Sequence, residues 1–436
     1  MTIAVLDAYG SPTILADANE YAARHGDPPF IAGQYTEKVE PKAWTLQDLC
    51  GAVGSWAAEQ TLDVEAVHAL APGAHIAYYG ANSCQDSDLL SALTDVVAHR
   101  SADVVTASWG GPVSTTGGDM SADVIQRYDR LFQVAALEGI SVDFPAGDCG
   151  VNAPTSRCGG ASGSGSTQPQ TSFPAADPWV TAVGGTSIEV GPDGSIRRQT
   201  AWGTRAWELS GEQWRSLGWI YGGGGGASAQ FAEPWYQICQ VPATLAGTLP
   251  TGAPATTPRR TVPDVALDAD PFTGMLIGQT RPLANSNKSG ELGVSYAKVG
   301  YTESAVGGTS LASPLFAALE ADAIQFGGGF PLGFVNPTLY ARARTSLLTD
   351  VDAAPQYLPP GSQVFPPIPG KPAVLAGLGD DGPLLAAPGY DTATGLGTPS
   401  EDFAVRLAEM GSRQDVGSAE STGSRGIPCF AAPRPQ

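Results

Sequence analysis

The sequence predicts an α/β fold: a mostly parallel central sheet with helices on both faces. Short β-rich runs alternate with helical patterns through the first half of the chain. The runs are apolar on both faces, as strands are when helices cover both sides of a sheet. Composition agrees, with 42% hydrophobic residues, only 15% charged, 55 Gly and 36 Pro in 436 residues, which describes a loop-rich globular chain long enough for a sizeable core.

The elements follow in order. TIAVLDA at the start reads as the first strand. A helical pattern over 56–71, within SWAAEQTLDVEAVHALAPG, stops at Pro72-Gly73, a normal end signal. HIAYYGA (75–81) is a strand, 86–100 a helix, ADVVTASWG (102–110) a strand, and 121–138 a helix. GISVDFPAG (139–147) and PWVTAVGGTS (178–187) complete the strands. Residues 159–172 and 359–377 read as long surface loops, and from about Gly411 a Ser/Gly/Arg/Pro tail reads as disordered, leaving one domain over 1–410. In parallel sheets reactive groups gather at the carboxyl ends of strands, and Asp7, Trp109 and Asp148 fall there.

Charge narrows the function classes. Forty-three Asp and Glu against 23 Lys and Arg give a net charge of −20, with no basic cluster to follow a phosphate backbone, so nucleic acid is not expected as a partner. Such a chain suits acidic surroundings, although plain solubility explains it equally well. No apolar run reaches the roughly 18 residues of a membrane span, and MTIAVLDAYG carries no secretory signal pattern. Six cysteines, Cys50, Cys84, Cys149, Cys158, Cys239 and Cys429, show no CxxC metal spacing. A bridge between Cys149 and Cys158 would staple a short loop, and free buried thiols are the equal alternative. Pairing of Cys239 with Cys429 stays open.

Candidate chemistry starts at VGGTSLASP, where Ser310 lies between a glycine-rich turn and a helical run. Gly307 and Gly308 permit close backbone approach, and the helix start offers N–H groups, yet Gly-Thr-Ser is also a common helix cap. The four histidines, His25, His68, His75 and His99, occupy no context that serves this serine. Glu59 and Asp63 lie four apart on the early helix, so both carboxylates project from one face. They form either a solvated face or a pair that shares a proton, because like charges at this spacing repel and raise one pKa. Asp148 in PAGDCG is either a turn former or a carboxylic acid kept protonated to donate to an oxyanion.

Read together, GGTSLASP, the E-x-x-x-D helix, SWGG after a strand and AGDCG after another closely resemble the sedolisin family of serine-carboxyl peptidases, whose fold is similar to that of subtilisin. The resemblance runs from Ile3 to about Pro399 and includes FPAADPWVTAVGGTS (173–187), GGGGGASAQF (222–231) and VPDVALDADPFTG (262–274). It implies Ser310 as nucleophile, Glu59 as its base, Asp63 as the acid that orients Glu59, and Asp148 as oxyanion donor. By the same similarity Asp7 and Trp109 extend the network around Glu59. At pH 4 an unperturbed imidazole is roughly 0.3% neutral while a carboxylate of pKa about 4.3 is roughly one-third ionised, so glutamate is the better base in acid.

The resemblance further implies one structural calcium ion within 349–399. Asp350 and Asp391 would supply carboxylates, and Val351, Ala387 and Gly389 main-chain oxygens, the hard ligands calcium prefers. Gly307 replaces the family's usual first Ser, and neither the family's prodomain nor its signal is visible in this chain. The function expected is an acid-acting endopeptidase acting on proteins or peptides, extracellular by resemblance and monomeric by default. Tripeptidyl-peptidase activity is the minor variant, a histidine-dependent subtilisin-like protease the enzymatic rival, and a non-catalytic, calcium-stabilised remnant the rival from another class.

Overall fold

Strand-forming runs and amphipathic helices alternate as the sequence predicts, and the structure, a computed structural model, describes residues 1–154, 158, 165–282, 299–343, 345–351, 362–365, 372–379, 382 and 384–412. The expected tail beyond 412, Cys429 and residues 159–164 of the 159–172 loop lie outside the described residues. The main sheet contains β1 (Thr2–Ala8), β2 (Tyr35–Lys38), β3 (His75–Ala81), β4 (Val104–Thr106), β5 (Ser141–Pro145), β6 (Thr181–Val190) and β7 (Val265–Asp268), in spatial order β7-β6-β5-β4-β1-β3-β2. All six pairings along this path are parallel. Ile196–Ala201 adds antiparallel to β6.

Helices α2 (Ala52–Leu70), α3 (Asp86–Ala98) and α4 (Ala122–Leu137) match the expected helical patterns, and α5 (Thr309–Phe326) carries Ser310. The helix α1 (Ile14–His25) and the edge strand β2 were not expected. The 359–377 loop is also corrected. Ser362–Phe365 and Val374–Leu378 are antiparallel strands, the second pairing in turn with Gly203–Ser210. Proline and glycine around them obscure short apolar runs that find hydrogen-bond partners in a distant hairpin.

Strand parity positions the chemistry. Successive side chains on a strand point to opposite faces. Ala4, Leu6, Val105, Val142 and Phe144 pack with Leu93, Val96, Tyr128 and Phe132 of α3 and α4. Ile3, Val5 and Val104 pack with Val64 and Val67 of α2 and Ala317, Ala321 and Ile324 of α5. Asp7, Thr106, Ser108, Ser141 and Asp143 continue the second parity, so polar groups meet α2 and α5 from below.

Under α5 this produces a buried acid pair. Asp143 and Glu320 have no exposed surface and hydrogen-bond each other. The Ser141 hydroxyl donates to Glu320 Oε1 at 3.0 Å. Among the described residues no well-placed donor reaches either Asp143 oxygen or Glu320 Oε2, so the acids themselves must supply a proton. Thr181 of β6 faces the pair, and Asp264 adds repulsion, itself balanced by Arg260 at 2.6 Å. Burial raises both carboxyls, Glu320 to about 8.

A raised carboxyl contributes stability that is complete below its unfolded pKa and lost as pH climbs through the folded one. For Glu320 that interval runs from about 4.5 to about 8. Thermal melts of the parent should therefore fall across it. Glu320→Gln, which keeps a hydrogen-bonding amide without the ionisation, should flatten the fall. Parallel melting curves for the two proteins would contradict the assignment.

Candidate active site

Ser310 is the second residue of α5, after a helix start that depends on two glycines. Gly308 adopts φ +98°, a region L-residues avoid. A Cβ on Gly307 would stand 2.4 Å from Ala269 O, so in this chain the motif's first glycine is required by the backbone behind it. Thr309 does not cap its own helix. Its N–H and hydroxyl both donate to Asp148 Oδ1 at 2.8 Å, and Gly147 N–H donates to Thr309 Oγ1 at 3.0 Å. Asp148 is thus fastened beside the start of α5. Its turn is held from behind by Gly222 and Gly224, which donate to Asp148 O at 2.9 Å and Gly147 O at 2.7 Å, and by the Cys149–Cys158 bridge. A second bridge, Cys50–Cys84, ties the start of α2 to the end of β3.

The serine finds its partner on α2. The Ser310 hydroxyl is a hydrogen-bond partner of Glu59, and burial pushes the Glu59 carboxyl up to about 7 against the lowering effect of that bond. One turn on, Asp63 is fully buried and accepts the Ser108 hydroxyl at 2.8 Å. Burial, then the Asp7 and Glu59 carboxyls, drive its pKa well up. Asp7, at the carboxyl end of β1, is also fully buried. Burial and Glu59 raise it. Among the described residues, Asp7 Oδ1 and Oδ2, Glu59 Oε1 and Asp63 Oδ2 have no well-formed hydrogen bond. Three carboxyls crowded without counter-cations must hold protons among themselves. Asp148 is raised as well, by burial, against the two Thr309 bonds.

The expected site residues therefore converge with one exception in kind. Trp109 follows Ser108 but turns to the α4 side, its ring 5.0 Å from Phe144 and 5.7 Å from Tyr128. Among the described residues its indole N–H has no hydrogen-bond partner. The sequence reading missed Ser108, although it stands in the SWGG run. The histidines lie elsewhere. His68 is nine residues beyond Glu59 on α2, about 13 Å along the axis, stacked on Phe30 and bonded to Pro28 O at 2.7 Å. His75 reaches Gly33 O at 3.4 Å, His99 sits by Asp95 and His25 by Glu303.

The two halves of the expected calcium site also meet. Gly389 N–H donates to Asp350 Oδ2 at 2.6 Å. Asp391 accepts Ala387 N–H at 3.0 Å and those of Ala393 and Thr394 at 2.8 Å, and burial pushes it up to about 6. Among the described residues no group of three His, Cys, Asp or Glu could hold a metal, so a cation here would rely on main-chain oxygens beside these two carboxylates. That all-oxygen donor set fits calcium. Among the described residues no helix is long and apolar enough to cross a membrane.

Comparisons place these features in a family. The subtilase family model matches residues 51–330. Kumamolisin of Bacillus sp. (strain MN-32) is 33% identical over 358 residues, covering 80% of this chain and 50% of its own length. Sedolisin of Pseudomonas sp. (strain 101) is 27% identical over 359 residues, covering 80% and 51%. A tripeptidyl-peptidase of Aspergillus fumigatus is 28% identical over 312 residues, covering 68% and 43%. The chain thus spans about half the length of the curated relatives it matches. The solved structure of Pseudomonas sedolisin, a serine-carboxyl proteinase complexed with two molecules of pseudo-iodotyrostatin, superposes with TM-score 0.64 at 23% identity, over 95% of this chain and 93% of that one, which shows the subtilisin-like fold. With a family model matched over more than half its length and these relatives beside it, the chain belongs to the subtilase family, and within it to the sedolisin type.

Proposed function

We propose that the chain is a serine-carboxyl endopeptidase that cleaves protein or peptide bonds through an acyl-enzyme, with Ser310, Glu59 and Asp63 as its triad. The observation that carries the reading is the Ser310 hydroxyl bonded to Glu59, with Asp148 fastened to Thr309 beside the same helix start. Ser310 Oγ attacks the substrate carbonyl while its proton passes to Glu59, and the protonated Asp148 donates to the oxyanion that forms. Glu59 then returns the proton to the leaving amine, and a water activated by Glu59 hydrolyses the acyl-enzyme. Asp63 and Asp7 share the cluster's protons and set how readily Glu59 accepts one. An intact constellation of this kind opposes the reading of a non-catalytic remnant, and the placement of the four histidines opposes a histidine-dependent protease.

Burial changes the expected pH. Unperturbed carboxyls would put the window at pH 3 to 5, whereas the raised Glu59 and Asp148 move it towards mild acidity. The rate rises with pH as the Asp7–Glu59–Asp63 cluster loses its first proton, and falls as Asp148 loses the proton it donates. One structural calcium ion, held by Asp350 and Asp391 with main-chain oxygens of Val351, Ala387 and Gly389, would bind the 387–391 turn to the strand end at Asp350. When bound, it would neutralise two carboxylates and brace that turn.

Peptide hydrolysis should show a bell-shaped kcat/KM profile with its maximum below pH 7. Ser310→Ala and Glu59→Gln should abolish turnover, and Asp148→Ala should lower kcat about 10²–10³-fold. A profile that climbs to a plateau near pH 8, or normal turnover by Glu59→Gln, would overturn the triad. A peptide blocked at its amino terminus separates cleavage of internal bonds from tripeptide release, the activity for which one relative is named. For calcium, chelation should lower the melting temperature by several degrees, and Asp391→Asn should reproduce the loss. Identical melts with and without chelator would remove the metal from the proposal.

A further inference from the structure

Pro314 lies inside α5. An α-helix bonds the N–H of residue i to the carbonyl of residue i−4, and proline has no N–H, so the Ser310 carbonyl loses its intrahelical donor. The Ser108 hydroxyl stands 3.2 Å from that carbonyl oxygen and 2.8 Å from Asp63 Oδ1. Ser108 is 6% exposed and follows β4 on the parity that faces α2 and α5. One hydroxyl therefore touches both the main chain of the nucleophile and the acid behind the base.

We infer that Ser108 is a positioning residue: it ties the Ser310 carbonyl, freed by Pro314, to Asp63, and by occupying Asp63 Oδ1 it confines the shared carboxyl proton to Oδ2. This rests on the proposed triad. The argument is one of donors. The one proton of the hydroxyl is shared in a three-centre bond, the shorter arm to Asp63 Oδ1 at 2.8 Å and the longer to the Ser310 carbonyl at 3.2 Å, and a carboxyl oxygen that already accepts it is the poorer place for a second proton. Asp63 Oδ2 has no donor among the described residues, and Asp7 and Glu59 are the carboxyls that act on Asp63. The proton shared with Glu59 is thereby kept on the Asp63 oxygen that lacks a donor. The Ser108 bond also favours the ionised form of Asp63, so its loss makes the cluster hold its first proton to higher pH.

The test compares Ser108→Ala with Ser108→Thr in the full chain, with folding checked by melting temperature. Ser108→Ala should lower kcat roughly tenfold with KM within about twofold, as expected for misplacement of a reacting group. It should also move the acid limb of the profile up by about one pH unit. Ser108→Thr, which keeps the hydroxyl, should restore both. Pro314→Ala returns an N–H to the Ser310 carbonyl, so Pro314→Ala with Ser108→Ala should recover part of kcat while leaving the limb displaced, a non-additive cycle. Parental kcat and acid limb in Ser108→Ala, or equal damage in Ser108→Thr, would overturn the inference. If the parent shows no turnover, the triad reading has failed. Ser108 is then judged in Ser310→Ala by an infrared pH titration of its protonated carboxyl band. A displaced titration on adding Ser108→Ala sustains the tie to Asp63, and an unchanged one ends it.

Discussion

Burial of carboxyl groups without cations to meet them is the constraint on which this molecule is arranged. Asp7, Asp63, Asp143 and Glu320 are completely enclosed, and burial drives all four upward. An ionised carboxylate in such surroundings is expensive unless something is shared with it, and what is shared here is a proton. The same requirement acts at two points along α5: at Ser310, where the cluster includes Glu59, and two turns past Ser313, where Asp143 and Glu320 meet. The proposed chemistry and the folding therefore draw on one kind of group under one condition of the solvent.

This arrangement follows from simple geometry. Alternation along β1, β4 and β5 sends every second side chain to the α2 and α5 face. There Ile3, Val5 and Val104 provide the apolar floor, and Asp7, Ser108 and Asp143 are polar insertions in it. On α5, Ser310, Ser313 and Glu320 fall at intervals of three and seven, one stripe of a helix, and Ser313 Oγ lies 3.0 Å from Thr106 Oγ1. Helix α5 thus rests on the sheet through a polar seam. Its position is fixed by directional bonds as well as by packing, which serves a serine that must stay within reach of Glu59.

Most of this was legible in the sequence, for physical reasons that can be named. Long two-faced apolar runs identified the parallel strands, and the spacing of Glu59 and Asp63 placed both acids on one helix face. That they act with Ser310 and Asp148 required the combined motifs, since each alone has an ordinary structural reading. The chain's helix α1 escaped notice because ILADANEYAARH offers small alanines where large apolar residues usually mark a face. Strand β2, YTEK, is a polar edge, and edge strands need no apolar alternation. Ser108 was printed inside a recognised motif, and its signal lay two hundred residues away in Pro314, whose missing N–H creates a carbonyl in need of a donor. Such a need appears in no local pattern.

The disulfides Cys149–Cys158 and Cys50–Cys84 carry a consequence of their own. Cys149–Cys158 joins two positions nine apart directly after Asp148, and Cys50–Cys84 joins the start of the helix bearing Glu59 to the end of a central strand. Both covalent ties therefore sit at the end of the sheet where the carboxyls gather, and the alignment of Glu59 and Asp148 depends on the redox state of four sulfur atoms. In a thiol-rich solution the loops on either side of these carboxyls are released, so a reductant would undo the proposed site without touching a single carboxyl.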